Sequence, residues 1–261
     1  MTSGLEFVVI PMAALLASLL TLFAGFGLGT LLMPVVALFF PLPAAVAMTA
    51  VVHLANNLFK LGLLGRHVDR RVLLRFGLPA LIASALGAWC LHWLGELPEL
   101  WRYTLLGREF MVTPLKLMVG VVILIFVALE GSRRLRKASV DPRYLPIGGV
   151  LSGFFGGLSG HQGALRSMFL ARLDLSPQAF VGTGVALALL IDLARIGVYA
   201  AEIGSWWAEM DWRLLLATTL AAFLGAWLGA KWLRKTTMPA IQGMVAVLLV
   251  AVGLGLIAGV L

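Results

Sequence analysis

The chain has 261 residues, 61% of them hydrophobic and only 12% charged, with a formal charge of +8. That composition excludes a soluble domain of ordinary make-up and leaves room for roughly eight to ten apolar helices of membrane-crossing length, with no soluble domain in the connections. The basic residues fall in short loops between apolar runs, a pattern that orients a membrane protein and argues against a nucleic-acid partner.

Residues 5–24 form the first apolar segment, preceded by M-T-S-G-L-E, which lacks the basic residues of a signal peptide, so a retained first helix is expected. G-F-G-L-G at 25–29 then interrupts the run before a shorter apolar stretch to Phe40 and the turn P-L-P at 41–43. The break follows no strand, so it is not a nucleotide-binding fingerprint, and the first helix is expected to be broken or doubled back. A third segment runs from Ala44 to Leu64, a fourth over 73–94 and a fifth over 114–130, with a moderately polar connection between the last two. Cys90, the lone cysteine, lies in the fourth segment and has no internal partner for a disulfide. The basic stretch 131–143 divides the chain into a first membrane repeat, 1–130, and a second, 144–261.

The second half follows the same plan. Segments at 145–158, 163–173, 177–201, 210–233 and 238–259 are interrupted by G-G-L-S-G-H-Q-G-A-L-R at 156–166. A shift of 134 superposes Pro43 on Pro177, Thr49 on Thr183 and Gly29 on Gly163, and a shift of 138 superposes Arg75 on Arg213 and L-G-A-W (86–89) on L-G-A-W (224–227). A shared tetrapeptide with consistent flanking spacing marks an internal repeat. Arg66, Arg70, Arg71 and Arg75 mark one loop as cytoplasmic, Arg133, Arg134, Arg136, Lys137 and Arg143 mark the linker, and Lys231, Arg234 and Lys235 mark a third loop. The acidic connections 95–113 and 201–212 fall outside, beside Trp93, Trp101, Trp206, Trp207 and Trp212 as an aromatic belt. Equivalent loops therefore carry opposite charge in the two halves. An odd number of crossings per half explains this, so the expected fold is an all-α polytopic membrane protein of two inverted repeats, about five helical segments each, with both termini outside the cytoplasm.

A glycine-rich break at membrane depth is tolerated only where protein covers the backbone or where it lines a wet cavity. The candidate substrate-binding set is accordingly drawn from the two breaks: Gly27, Gly29 and Thr30 in the first, and Ser159, Gly160, His161, Gln162, Gly163 and Arg166 in the second. Arg166 just past the break is costly in hydrocarbon, and its natural partner is an anion. The third segment adds His53, Asn56, Asn57 and Lys60, spaced i, i+3, i+4 and i+7 so that one helix face presents them. His53 is also suited to carry a coupled proton. Asp192 and Arg195, three apart, form an expected ion pair that serves either as structural neutralisation or as a gate.

No zincin, nucleophile-elbow or metal-spaced Cys/His motif occurs, so neither an enzyme nor a cofactor or metal site is expected. Excess embedded positive charge with amide and hydroxyl donors is the chemistry of anion recognition.

The two glycine-rich motifs, G-F-G-L-G-T-L-L-M-P (25–34) and G-G-L-S-G-H-Q-G-A-L-R-S-M-F-L (156–170), each precede a short helix, a Pro-containing turn and a long segment with A-x-x-x-T (45–49, 179–183). In these the chain resembles the sulfite exporter TauE/SafE family over nearly its whole length; it departs from the usual pattern at Thr30, where a third glycine is common. The resemblance implies a bacterial inner-membrane permease for small organosulfur anions such as sulfite or sulfonates. From the residues alone, an anion channel and a non-transporting membrane scaffold subunit remain the alternatives.

Overall fold

The computed structural model describes residues 4–24, 27–105, 107–132, 140–171, 173–202, 211–232 and 239–261. Gly25 and Phe26 of the first motif, the linker residues Arg133, Arg134, Arg136 and Lys137, Trp206 and Trp207, and Arg234 and Lys235 lie outside them. The described chain holds ten α-helices: α1 Glu6–Ala24, α2 Leu28–Val36, α3 Leu42–Leu64, α4 Arg70–Glu96, α5 Pro114–Gly131, α6 Leu145–Ser159, α7 Gly163–Leu170, α8 Pro177–Glu202, α9 Trp212–Trp232 and α10 Pro239–Ile257. Among the described residues, α3, α4, α8 and α9 are long and apolar enough to cross a membrane, and α1, α5 and α10 contain shorter apolar helices. With nine and eight residues, α2 and α7 reach only about 12–14 Å, less than half of the ~30 Å hydrocarbon thickness. They are half-helices, each entered through a glycine-rich break.

The helices fit the expected all-α membrane protein, and one connection adds a pair of strands. The connection after α4 folds into an antiparallel hairpin, β1 Trp101–Leu105 paired with β2 Arg108–Val112. W-R-Y-T-L and R-E-F-M-V are rich in aromatic and β-branched residues suited to a pleated surface, and Gly107 supplies the left-handed turn residue at φ +76. Tyr103 donates its hydroxyl hydrogen to the Ala258 carbonyl, and Gly259 lies against the Met111 backbone. The hairpin and the end of α10 therefore sit at the same end of the bundle.

Helix starts are capped as the local residues dictate. Asp69 accepts from the Val72 amide ahead of α4, Asp211 accepts from the Arg213 and Leu214 amides ahead of α9, and Thr113 accepts from the Lys116 amide ahead of Pro114 of α5.

The packing repeats as the sequence does. On α4, Leu74, Leu78, Ile82, Leu86 and Trp89 form an exposed stripe, and 138 positions later Trp212, Leu216, Leu220, Leu224 and Trp227 do the same on α9. An exposed stripe of large apolar side chains is a lipid-facing surface. The inward faces carry the small residues of the repeated tetrapeptide. A Cβ on Gly87 would collide with the Phe154 carbonyl of α6, and one on Gly225 with the Leu15 carbonyl of α1. Gly149, Gly153 and Gly157 meet the α4 backbone at Phe76, Ala80 and Ser84 in turn, so α6 runs parallel to α4. Gly225 and Gly229 meet Leu15 and Leu19 in turn, so α1 runs parallel to α9. Close approach of this kind is how helices gain packing where lipid removes the hydrophobic drive between them. Each half thus rests on the other.

Candidate functional site

The two breaks meet. In the second, α6 ends on Gly160 at φ +80, and Gln162 leads into α7. In the first, Gly27 precedes α2, and the position of a Cβ on Gly29 lies 3.6 Å from the Gly160 carbonyl oxygen. Glycine is needed at 160 because a side chain in the left-handed region is strained, and its Cβ would also lie 3.1 Å from Arg195 Nη1.

The carbonyls at the end of α6 have no further helix to bond to, and α8 supplies much of the cap. Gly156 O accepts from Arg195 Nη1 (3.3 Å) as well as from the Gly160 amide (3.0 Å), and Gly157 O accepts from the Tyr199 hydroxyl (2.5 Å). Ser159 O accepts from His161 Nδ1 at 3.0 Å. A cation and hydroxyl at a helix carboxyl end are the favourable complements of its dipole, and they let the break sit away from water.

Asp192 is the hub of this arrangement. Its Oδ1 accepts from Arg195 Nη2 and Nε at 2.8 and 3.1 Å and lies 3.4 Å from Gln162 Nε2; its Oδ2 accepts from His53 Nδ1 at 2.7 Å and Asn57 Nδ2 at 3.0 Å. Asp192, Arg195, His53, Asn57 and Gln162 are all buried. With the Nδ1 hydrogen directed at the carboxylate, the remaining ring nitrogen of His53, Nε2, is the one left to exchange a proton. It faces the first break, 3.6 Å from where a Gly27 Cβ would lie.

The expected single polar face of α3 serves different neighbours. His53 and Asn57 face α8, whereas Asn56 faces α1 and α9: with the amide oriented to satisfy both ends, Asn56 Nδ2 donates to the Ala222 carbonyl (3.3 Å), Oδ1 accepts from Lys60 Nζ (3.0 Å), and Ser18 Oγ lies 3.2 Å away. The stripe spans about 100° of the helix surface, enough for α8 to pack against one edge and α1 and α9 against the other. Lys60 is buried.

Arg166, on α7, is half-buried and donates from Nη1 to Gln162 Oε1 at 3.2 Å. Gln162 is further fixed by Ser152 Oγ, which donates to its carbonyl. Ser159 Oγ bonds the Phe155 carbonyl, and His161 packs its ring against Phe126 at 5.6 Å between centroids. Thr30 is buried beside Gly27, and Gly163 opens α7. Tyr199, Ser152 and Ser84, which bonds the Ile191 carbonyl, belong to the same polar core without having been singled out from the sequence. Tyr199 was legible by spacing, since it lies four residues after Arg195 and seven after Asp192 on one helix face.

Charge around the breaks does not balance. Asp192 is matched by Arg195, while neither Lys60 nor Arg166 has a carboxylate partner among the described residues. No group of metal-ligating residues occurs among them either.

The family model described as sulfite exporter TauE/SafE matches residues 10–256. The chain belongs to that family. It is a multi-pass membrane protein of a transporter family, and the TauE/SafE match spans both breaks and all ten helices, falling short only at the outermost turns of α1 and α10. No curated protein and no solved structure matches the chain.

Proposed function

We propose that this TauE/SafE protein exports small sulfur oxyanions, sulfite or sulfonates, by alternating access between two inverted repeats, with a proton carried on His53. The observation that carries the reading is the pair of cations Lys60 and Arg166, neither in an ion pair with a carboxylate among the described residues, with Arg166 on the half-helix that opens at the second break. Helix amino ends present amide hydrogens and a positive dipole end, and an arginine fork suits a pyramidal or tetrahedral oxyanion. In this reading the anion completes the charge balance, and Gln162 holds the Arg166 fork toward it. The Asp192 and Arg195 pair is the fixed element against which His53 gains and loses its proton.

The inverted plan draws support from the packing. Residue pairs run parallel between α1 and α9 and between α4 and α6, while α3 runs antiparallel to α8, with Asp69 meeting Thr183 and His53 meeting Asp192. A two-fold axis in the membrane plane relates partners in this way. In this reading the basic loops set the side, so the hairpin and both termini lie outside the cytoplasm of a bacterial inner membrane. A reporter fluorescent only in the cytoplasm, fused after Leu261, is expected to stay dark; bright fusions would contradict the topology.

Transport is tested in proteoliposomes loaded with labelled sulfite, methanesulfonate or thiosulfate, with and without a pH gradient. Gradient-dependent flux of at least one anion is expected. Flux that ignores the gradient and saturates at no concentration would favour a channel, and absence of flux for all three would favour a scaffold subunit.

A further inference from the structure

Two threonines occupy equivalent positions in the halves, Thr49 of α3 and Thr183 of α8, 134 residues apart and each the last residue of an A-x-x-x-T run. Both are fully buried. Their hydroxyls have different fates. Thr183 Oγ1 accepts from the Asp69 amide at 2.8 Å and so ties the loop before α4 to α8. Thr49 Oγ1 has no hydrogen-bond partner among the described residues. A buried hydroxyl without a partner carries a desolvation cost, and the natural explanation is a ligand that satisfies it.

The surroundings of Thr49 say which kind. Its methyl group lies 3.7 Å from where a Cβ on Gly29 would stand, in the first turn of α2, and His53 follows it by one helical turn on the same face of α3. The amino end of α2 has no side-chain cap at Gly27. The Cβ positions of Gly27 and Gly29 meet their neighbours only at 3.6 Å or beyond, which is ordinary van der Waals contact, so these glycines leave room that an alanine would fill without collision. Thr49, whose methyl packs toward Gly29, the start of α2 without a side-chain cap, and the outward ring nitrogen of His53 beside Gly27 are thus neighbours at the first break.

We propose that Thr49, with the amino end of α2 and His53 Nε2, forms the subsite that grips the oxygens of the transported oxyanion, and that Thr183, its counterpart, takes no part in binding. This rests on the transporter reading above and assigns recognition chiefly to the first half, whose α2 carries no charged side chain. The hydroxyl donates to one anion oxygen, the α2 amides to another, and protonated His53 to a third.

The test is binding of labelled sulfite to the purified full chain in lipid nanodiscs, beside its thermal unfolding. Wild type is expected to bind. Thr49→Val should weaken binding about tenfold or more, the loss expected for one hydrogen bond to an anion, while unfolding at the same or a higher temperature because an unsatisfied hydroxyl is gone. Thr49→Ser should stay within about threefold of wild type, since it keeps the donor. Gly29→Ala should fold and bind weakly, and Thr183→Val should bind as wild type does. Unchanged sulfite affinity in Thr49→Val, equal losses in Thr49→Val and Thr49→Ser, or equal losses in Thr49→Val and Thr183→Val would each overturn the assignment while leaving the transporter reading standing. A wild-type chain that bound neither sulfite, methanesulfonate nor thiosulfate would overturn both.

Discussion

The two glycine breaks are built on one plan and furnished differently. Around the second, Gln162, Arg195, Asp192 and Tyr199 bond to the backbone or to one another and the carbonyls of Gly156, Gly157 and Ser159 all find donors, while His161 Nε2 has no partner among the described residues. The first offers Gly27, Gly29 and Thr30, an uncapped half-helix, and the unpartnered hydroxyl of Thr49 nearby. Both halves carry collision-tight glycines and outward apolar stripes, while their polar side chains differ. The second break is thus the more heavily hydrogen-bonded of the two, and the first carries fewer polar side chains.

The strongest way to break the shared part of the plan is to crowd it. Gly87→Val and Gly225→Val each push a side chain into the backbone of the helix opposite, α6 or α1. Overpacking against backbone atoms has no flexible side chain to yield, so a cost on the order of 3 kcal/mol or more is expected, and little monodisperse protein should be recovered from the membrane. Both should fail alike. A large difference between them would mean that the two parallel helix pairs are not equivalent in strength.

The braced half is addressed through Asp192 and Arg195. Asp192→Asn leaves Arg195 buried without its countercharge, and Arg195→Gln does the reverse; each should cost about 3–5 kcal/mol by the usual penalty for breaking a buried pair. The double variant removes both charges, so it should be the most stable of the three, with the excess over additivity read from thermal unfolding in a double-mutant cycle. Additive losses would show the pair to be uncoupled despite the 2.8 Å contact.

How much of this was legible beforehand follows from what kind of interaction each residue makes. Apolar run lengths and the Gly and Pro interruptions located all ten helices, because hydrocarbon thickness and backbone hydrogen bonding leave a chain few choices. The hairpin was hidden because its alternation spans only five residues a strand inside a polar connection. Depth was hidden as well. Arg166 and Arg195 both read as charges in apolar runs, yet Arg195 is 1% exposed while Arg166 is half-buried, since what covers a side chain is decided by helices distant in sequence. For the same reason Asn56 and Asn57, neighbours in the chain, serve different helices, and periodicity alone could not separate them.

Arg166 sharpens the functional side of the comparison with a smaller effect on the fold. Half-buried and bonded only to Gln162 among the described residues, it can be removed without leaving a buried carboxylate unpaired. Arg166→Ala should therefore insert and unfold nearly as wild type while losing transport. Arg166→Lys keeps the charge without the planar fork and should weaken substrate binding about tenfold. Unchanged affinity in Arg166→Ala would move the countercharge to Lys60.

The smallest effect is expected at Tyr199, and it separates bracing from binding most cleanly. Its hydroxyl donates to Gly157 O in the last turn of α6, where that carbonyl has no successor amide to accept from in a continued helix. Tyr199→Phe removes one oxygen and leaves the ring in its buried place, so no cavity forms and the loss is that of a single hydrogen bond. In a membrane interior such bonds average roughly 0.6 kcal/mol and reach about 1.7, because alternative partners exist within the unfolded chain. The carbonyl here has few alternatives, since α4 packs against Gly157 from the other side at Ser84, so the upper part of that range is expected. Thermal unfolding should fall accordingly while sulfite affinity stays put, because the Tyr199 hydroxyl is spent on α6 at Gly157. A Tyr199→Phe protein with wild-type stability and weakened affinity would show instead that Tyr199 acts on the bound anion and is no brace.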